Sequence, residues 1–557
     1  MPISNIINRT IMKKASILYI AASALLFTAC ESKLDVEPTD QLTDATVWKT
    51  PSNANLFLND IYNALNPGPQ STVFTNVPSE ISNDPLDNFS DNSISGPLAG
   101  IPSYEAFAQG SYGPSAPIFT PHWKNMYANI RKCNVFIENV TAADFDDATK
   151  KPMLAQARFL RAYYYKSLMD LYGGVPIITV PLNREEQGDA IFNPRNTFEE
   201  CTAFIQKECE EAAADLPLKV AAKDAGRATK GAAWALEGEQ LLYAGKWTEA
   251  AAVNLKIMNA GAGYDLYPDY GQLFLPANED NQEVIFDVQY AANVKGEIKE
   301  KYWNPVKVSD GGGWGAVNPT QDLVDDYEFL DGKTEGEGSA MFDPAHPYDN
   351  RDKRFEATII HDNSAWKSGI IYTRLGVPNN SNELDAAGAG GKGRTGYFLK
   401  KMVDPAIVPG VSSGANSIIW RYAEVLLNYA EAQNEASGAD ATVYDAMNKV
   451  RARAGLPALP AGLTQAQMRA RIRRERRIEM AFEGKRLFDL WRWKIAEQVF
   501  SKPLRAMKIT GTGTNLTYEK VNAGGGKITF VATKNYRMPI PQTVIAQNPK
   551  IEQNPNY

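Results

Sequence analysis

The sequence predicts a mainly α fold, a scaffold of helical hairpins carrying long loop insertions and a few short β-strands. Apolar residues recur three and four apart through much of the chain, and between those segments lie stretches dense in Gly, Asn, Asp and Pro where no period survives. In chain order, the first helical period runs from Ala54 to Leu65 and stops at Asn66-Pro67-Gly68-Pro69. A loop-rich stretch follows to about Pro117, with Phe74, Phe89, Tyr104, Phe107 and Tyr112 scattered through it, too long for a plain connection. Helices are expected at His122 to Val140, Ala148 to Tyr172, Thr197 to Leu216, Arg227 to Ala244 and Trp247 to Asn259. The last two are joined by Ala244-Gly245-Lys246, and ALEGEQLLYAGKWTEAAAVN has the small, aromatic and glycine placement of a tetratricopeptide hairpin. From roughly 280 to 415 the pattern changes, and VIFDVQY and YFLKKM read as short strands among loops. A second helix pair, Arg421 to Glu435 and Thr442 to Ala454, precedes helices at Thr464 to Phe482 and near Lys485 to Phe500. The closing YRMPIPQTVIAQNPKIEQNPNY, rich in Pro and Asn, is expected to lie extended on the surface.

Composition narrows the functional classes. The 557 residues are 44% hydrophobic and 22% charged, the proportions of a globular protein, which excludes a disordered or polytopic membrane chain. Lys and Arg total 58 against 65 Asp and Glu, a net charge of -7, so the basic footprint that nucleic acid demands is missing. Near the N-terminus, Lys13 and Lys14 precede an apolar stretch of 15 residues, Ala15 to Ala29, shorter than the roughly 20 residues a membrane span requires. It reads as a secretory signal. Leu26-Phe27-Thr28-Ala29-Cys30 resembles a bacterial lipobox, in which the Cys becomes the lipidated N-terminus, so Cys30 is the expected anchor. Residues 1–29 carry three basic and no acidic side chains, and their removal takes the net charge from -7 to -10.

Motif by motif, the chemistry of catalysis is weakly represented. Glu475 and Glu479 stand one turn apart, but Arg471, Arg473, Arg474, Arg476 and Arg477 crowd the same helix, and ion pairs at i, i+3 and i, i+4 are the simpler account. Tyr163, Tyr164 and Tyr165, with Arg158 and Arg161, read as core packing and buried ion pairs. Gly388 to Gly393 fits GxGxxG but has neither the preceding strand nor the following helix, so it is a loop without a phosphate site. Asp84, Asp87 and Asp91 lack the glycine and glutamate spacing of a calcium loop. Cys133, Cys201 and Cys209 read as small buried hydrophobes, and His122, His346 and His361 show no metal-ligand spacing. No metal and no cofactor is expected.

A family resemblance rests on seven ordered strings. They are Trp123-(x3)-Tyr127-(x2)-Ile130-(x2)-Cys133-Asn134, AQARFLRAYYYKSLMDLYGGVPI from Ala155, YDNRDKRF from Tyr348, WRYAEVLLNYAEAQNE from Trp420, VRARAGLP from Val450, RRERRIEMAFEGKRLFDLWRW from Arg473, and the ending QNPNY. Together with the lipobox they resemble the SusD/RagB outer-membrane nutrient-binding lipoproteins. The resemblance implies a SusD-like fold of tetratricopeptide-like hairpins and a location on the outer membrane, lipid-anchored and facing the exterior. It implies a non-catalytic role, in which the protein captures oligosaccharide and passes it to a SusC-type TonB-dependent transporter; one branch of the family handles peptides instead. The chain then divides into a signal peptide, 1–29, and a single SusD-like domain, 30–557. That domain has an N-terminal helical part at 30–275, an irregular insertion at 276–415 and C-terminal helices with a tail at 416–557.

Sugar binding asks for a flat aromatic face and for planar polar groups that bond vicinal hydroxyls. Tyr302-Trp303-Asn304 and Gly311-Gly312-Gly313-Trp314-Gly315 offer rings on glycine-rich loops that no helical or strand period demands, and Trp314 is the foremost platform. Because the family builds its site from the loops after the first helix and from the middle region, Asp84, Asp87, Asn88, Phe89 and Tyr104 are the expected partners. Trp366 and Arg374 are lesser candidates.

Overall fold

The computed structural model describes residues 44–65, 86–96, 102–116, 119–385 and 393–557. Ten helices carry the argument: α1 (Pro51–Asn63), α2 (Thr120–Ala142), α3 (Asp147–Tyr172), α4 (Phe198–Asp215), α5 (Lys230–Tyr243), α6 (Trp247–Met258), α7 (Tyr422–Ser437), α8 (Ala441–Ala454), α9 (Gln465–Glu479) and α10 (Arg486–Arg492). Each of α2 to α7 packs on the next, so the array runs without a break from α6 to α7 although the 259–421 segment intervenes in sequence. The helices start where the sequence supplies caps. Asp146 accepts from the Thr149 amide ahead of α3, and Thr197 with Glu200, then Thr464 with Gln467, close capping boxes at α4 and α9. Cys133, Cys201 and Cys209 are free and buried, packed as small apolar groups. Among the described residues no helix is long and apolar enough to cross a membrane.

Five two-stranded antiparallel ladders decorate the array among the described residues: β1 (Ser93–Ser95) with β3 (Val317–Pro319), β2 (Val284–Val288) with β8 (Ser417–Arg421), β4 (Ile359–Ile360) with β7 (Phe398–Leu399), β5 (Ser364–Trp366) with β6 (Gly369–Ile371), and β9 (Arg505–Thr512) with β10 (Asn515–Asn522). The β2–β8 ladder closes the base of the long insertion, since Val284 pairs with Arg421 and Val288 with Ser417. The chain therefore leaves and re-enters the helical array at one point.

Two expectations need correction, and one element is additional to those expected. The helix near Lys485 to Phe500 is two helices, α10 and Ala496–Val499, interrupted where Lys494 takes a φ of 55°. The C-terminal tail is neither wholly extended nor wholly on the surface: Gln542–Gln547 is helical, Met538 and Ile540 are fully buried, the Met538 amide donates to Leu171 O, and Asn554 Nδ2 donates to Tyr172 O and Met538 O. Its few apolar side chains are inserted against the end of α3, where the last carbonyls of a helix need donors. The β9–β10 hairpin, to which the sequence reading assigns no element, joins period-two strands through Gly511 and Gly513, both at positive φ.

Glu475 and Glu479 are buried and structural, as expected, but their partners are distant in sequence, not one turn away. Glu479 bonds Arg421 at 2.5 Å and Arg354 at 2.8 Å and also pairs with Arg453; Glu475 bonds Arg354 at 2.7 Å and Arg451 at 3.1 Å. Arg421 further holds Glu283 and Glu483. Arg476 reaches Asp489 and Glu424, and Arg477 reaches Asp91 and Asp326. Burial works to raise the Glu479 pKa, yet the guanidiniums of Arg453, Arg421 and Arg354 hold it well below the usual carboxylate range. Arg161 and Arg158 both pair with Glu208, also as expected.

Two outcomes follow for stability. Glu479→Gln removes the shared anion from buried cations and is expected to destabilise by about 3–5 kcal/mol in urea unfolding; an unchanged midpoint would show that the lattice does not hold the fold. Glu237 on α5 is the opposite case, only 1% exposed and with no hydrogen bond to either carboxylate oxygen among the described residues. Burial raises its pKa to about 7 from 4.5. A folded-state pKa above the unfolded value means that stability is lost as pH rises from the unfolded pKa through the folded one. Glu237→Gln is expected to stabilise at pH 8 by roughly 2–3 kcal/mol and to change nothing at pH 4, as read from thermal or urea melts at the two pH values.

Candidate functional site

The candidate site is built on the short helix Lys299–Trp303 and the glycine-rich loop that returns to it. The loop satisfies the carbonyls that a helix end leaves open: Gly313 N donates to Pro305 O, Trp314 N to Lys301 O, Gly315 N to Asn304 O and Ala316 N to Tyr302 O, at 2.7 to 2.9 Å. Glycine is required for this close approach. A Cβ on Gly312, whose φ is 92°, would stand 2.1 Å from Val306 O, and one on Gly313 would stand 2.5 Å from Asn304 O.

Of Tyr302, Trp303 and Trp314, Trp314 alone is partly open to solvent. Trp314 is half-buried and lies edge-to-face on Tyr302, with ring centroids 4.9 Å apart, and the Lys301 ammonium sits 5.5 Å from its centroid. Tyr302 and Trp303 are buried at 4% and 0% exposure and form the wall behind it, because the helix face that carries them turns into the core. Trp366 is buried as well and donates its indole N–H to Asn304 Oδ1 at 2.8 Å, bracing the helix end from below. Arg374 is committed to Asp362 at 2.7 Å. Lys301 is the residue that the sequence reading missed. A lysine two residues before a tryptophan in a five-residue helix carries no periodic signal, so its place over Trp314 is visible only in three dimensions.

The stretch after the first helix does meet the middle region, but as framework. Asp87, Asn88 and Phe89 lie in the turn Leu86–Phe89 and are all buried. Asp87 accepts from the amides of Phe482 and Gly484 and from Asn92 Nδ2, and burial raises its pKa. Asn88 donates to Ala316 O at 3.2 Å and accepts from Ser93 Oγ, while Phe89 packs edge-to-face on Phe107 at 5.2 Å. Asp91 is gripped by Arg486 at 2.7 Å and Arg477 at 2.8 Å; burial opposes its ionisation, but the two guanidiniums hold its pKa down to about 2. Asp87, Asn88 and Phe89 are therefore buried behind the loop, with no face open to solvent. Asp87 and Asp91 have spent their oxygens on protein groups, and among the described residues no cluster of metal-ligating side chains exists. Asp84 and Cys30 lie outside the described residues, as does the side chain of Tyr104. A cavity of about 490 Å3 between residues 218–229 and 280–287 contains none of the expected site residues.

With this geometry in hand, comparison with known proteins decides the family. The family model described as SusD family matches residues 282–557, and a second, described as starch-binding associating with outer membrane, matches residues 34–238. The chain belongs to the SusD/RagB family. Among its curated SusD-like relatives is SusD-like protein P2 of Formosa agariphila, 26% identical over 580 residues that cover 98% of this chain and all of the relative. Two solved SusD-like structures from Bacteroides fragilis match the fold. One is 27% identical at a TM-score of 0.78, covering 94% of this chain and all of that one; the other, described as a carbohydrate binding protein, is 28% identical at 0.77, covering 91% and 100%. The array α2 to α8 is thus the helical scaffold of SusD-like proteins, and the Trp314 loop is carried on its insertion.

The loop geometry yields its own test. Gly312→Ala is expected to raise amide exchange across residues 301–316 while the helical circular dichroism stays unchanged; unaltered exchange would show that the tight return of the loop does not fix Trp314.

Proposed function

We propose that this protein is a surface-exposed glycan-binding lipoprotein that captures oligosaccharides and delivers them to a SusC-type TonB-dependent transporter in the outer membrane, without catalysis. The observation that carries the reading is Trp314: a half-exposed indole on a rigid glycine loop, backed by buried Tyr302 and Trp303 and flanked by Lys301. Such a face stacks on the C–H side of a sugar ring, and the lysine supplies a donor for a hydroxyl. The starch-binding description of one matching family model and the carbohydrate-binding description of one solved relative support the same ligand class. The absence of catalysis is supported by the fate of Glu475 and Glu479, which are buried among arginines and not opposed across a cleft. Lipid on Cys30 would hold a net-acidic domain at a bilayer that its own charge does not attract.

Calorimetric titration of the chain from Cys30 onward against neutral oligosaccharides and peptides tests the reading. A glycan is expected to bind, and Trp314→Ala to weaken it by about tenfold or more with the helical dichroism intact. Peptide binding without glycan binding would move the protein to the peptide-handling branch of the family.

A further inference from the structure

A separate cavity of about 290 Å3 opens where the helix Gln321–Asp326, the turn Glu335–Glu337 and the β9–β10 hairpin come together. Its walls are aromatic and prolyl, formed by Phe342, Pro344, Pro347, Tyr348 and Tyr518. One side is Arg351, only 7% exposed. Backbone carbonyls hold this guanidinium: Nε donates to Pro347 O at 2.8 Å, and Nη1 to Val324 O and Tyr327 O at 3.0 Å each. Phe329 and Phe355 flank it, with centroids 4.4 and 5.6 Å away.

Arg351 is anomalous in its own protein. Every other buried arginine among the described residues, from Arg161 on α3 to Arg486 on α10, has a carboxylate oxygen within 2.8 Å. Arg351 has none, and its Nη2 has no acceptor among those residues. Burial accordingly presses its pKa down. The lining acid Glu335 is held by Lys520 at 2.7 Å, and beyond the lining Asp325 binds Lys520 and Arg505 at 2.9 and 2.8 Å and Asp322 binds Arg505 at 2.7 Å. A buried guanidinium without an anionic contact is a costly arrangement unless something else supplies the anion.

We propose that this cavity is a second binding site, independent of the Trp314 face, for a monocarboxylate carried on a six-membered ring, such as the uronic acid of an acidic sugar. The carboxylate meets Arg351 Nη2, and the ring lies against the outer surface of the Tyr348–Tyr518 pair, whose rings touch edge-to-face at 5.8 Å. Size and charge set the class. The volume stands at the lower end of small-molecule pockets, which begin at roughly 300 Å3, so one ring fits and a chain does not. Among the lining side chains Arg351 and Lys520 are cationic and Glu335 is anionic, a balance that accepts one added negative charge and disfavours the dianion of a phosphate monoester.

The experiment is titration of the chain from Cys30 onward with galacturonate, glucuronate, benzoate and glucose at fixed ionic strength, followed by calorimetry or ligand-observed NMR. A carboxylate is expected to bind about tenfold or more tighter than glucose. Tyr518→Ala should weaken that binding by about fivefold, and Glu335→Gln, which removes a rim anion, should strengthen it by about threefold. Both residues sit at the rim, so neither variant is expected to disturb the core. Uronates binding without benzoate identifies a sugar acid, and benzoate alone identifies an aromatic acid; either supports the site. Equal binding of glucose and the acids, or acid binding unmoved by both variants, overturns it. Neutral-glycan binding that persists in Tyr518→Ala separates this site from the one at Trp314.

Discussion

The structure depends on a buried ionic lattice centred on the end of α9. Glu479 alone gathers Arg421 from β8, Arg354 from the insertion and Arg453 from α8, and Arg421 adds Glu283 beside β2 and Glu483 beyond α9. Charges so placed gain nothing from water, and their value lies in mutual satisfaction: each is tolerable only while its partners are in place. The lattice therefore does what a hydrophobic core does poorly, which is to specify one arrangement among segments that are far apart in sequence. It fixes the base of the insertion, where β2 and β8 pair, and so decides how everything between them projects from the helical array.

From that centre the Trp314 loop is positioned by relay. Arg477 and Arg486 hold Asp91, and the amides of Phe482 and Gly484 hold Asp87. The stretch they secure forms β1, which pairs with β3, and Asn88 reaches the Ala316 carbonyl two residues from Trp314. Residues near position 90 thus transmit the placement of the C-terminal helices to a loop near position 314. The half-buried indole is the last link of a chain of contacts that begins on a buried carboxylate.

How much of this was legible in the sequence follows from the range of the interactions. α2 to α9 could be read because a 3.6-residue period and a capping residue are local, and the helix limits agree to within a few residues. The turn at Asp87, Asn88 and Phe89 could not be read correctly, because a polar loop residue looks the same whether it faces solvent or a backbone amide almost 400 positions away. The same holds for Glu475 and Glu479: the sequence shows six arginines on one helix, yet the pairs that form are with Arg354, Arg421, Arg451 and Arg453. At the site, glycines around Trp314 announced an unusual backbone, whereas the burial of Tyr302 and Trp303 depended on which way a five-residue helix was rolled.

The order in which the lattice is written along the chain has a consequence for biogenesis. Acids such as Asp91, Glu208, Glu239 and Glu283 emerge early in synthesis, and while Glu208 finds Arg158 and Arg161 nearby, Asp91, Glu283 and one oxygen of Glu239 wait for Arg477, Arg421 and Lys485. Until then the nascent N-terminal half carries uncompensated anions at positions destined for burial, which keeps it hydrated and resists premature collapse. With the neutralising cations near the C-terminus, the burial of these acids waits on completion of the polypeptide.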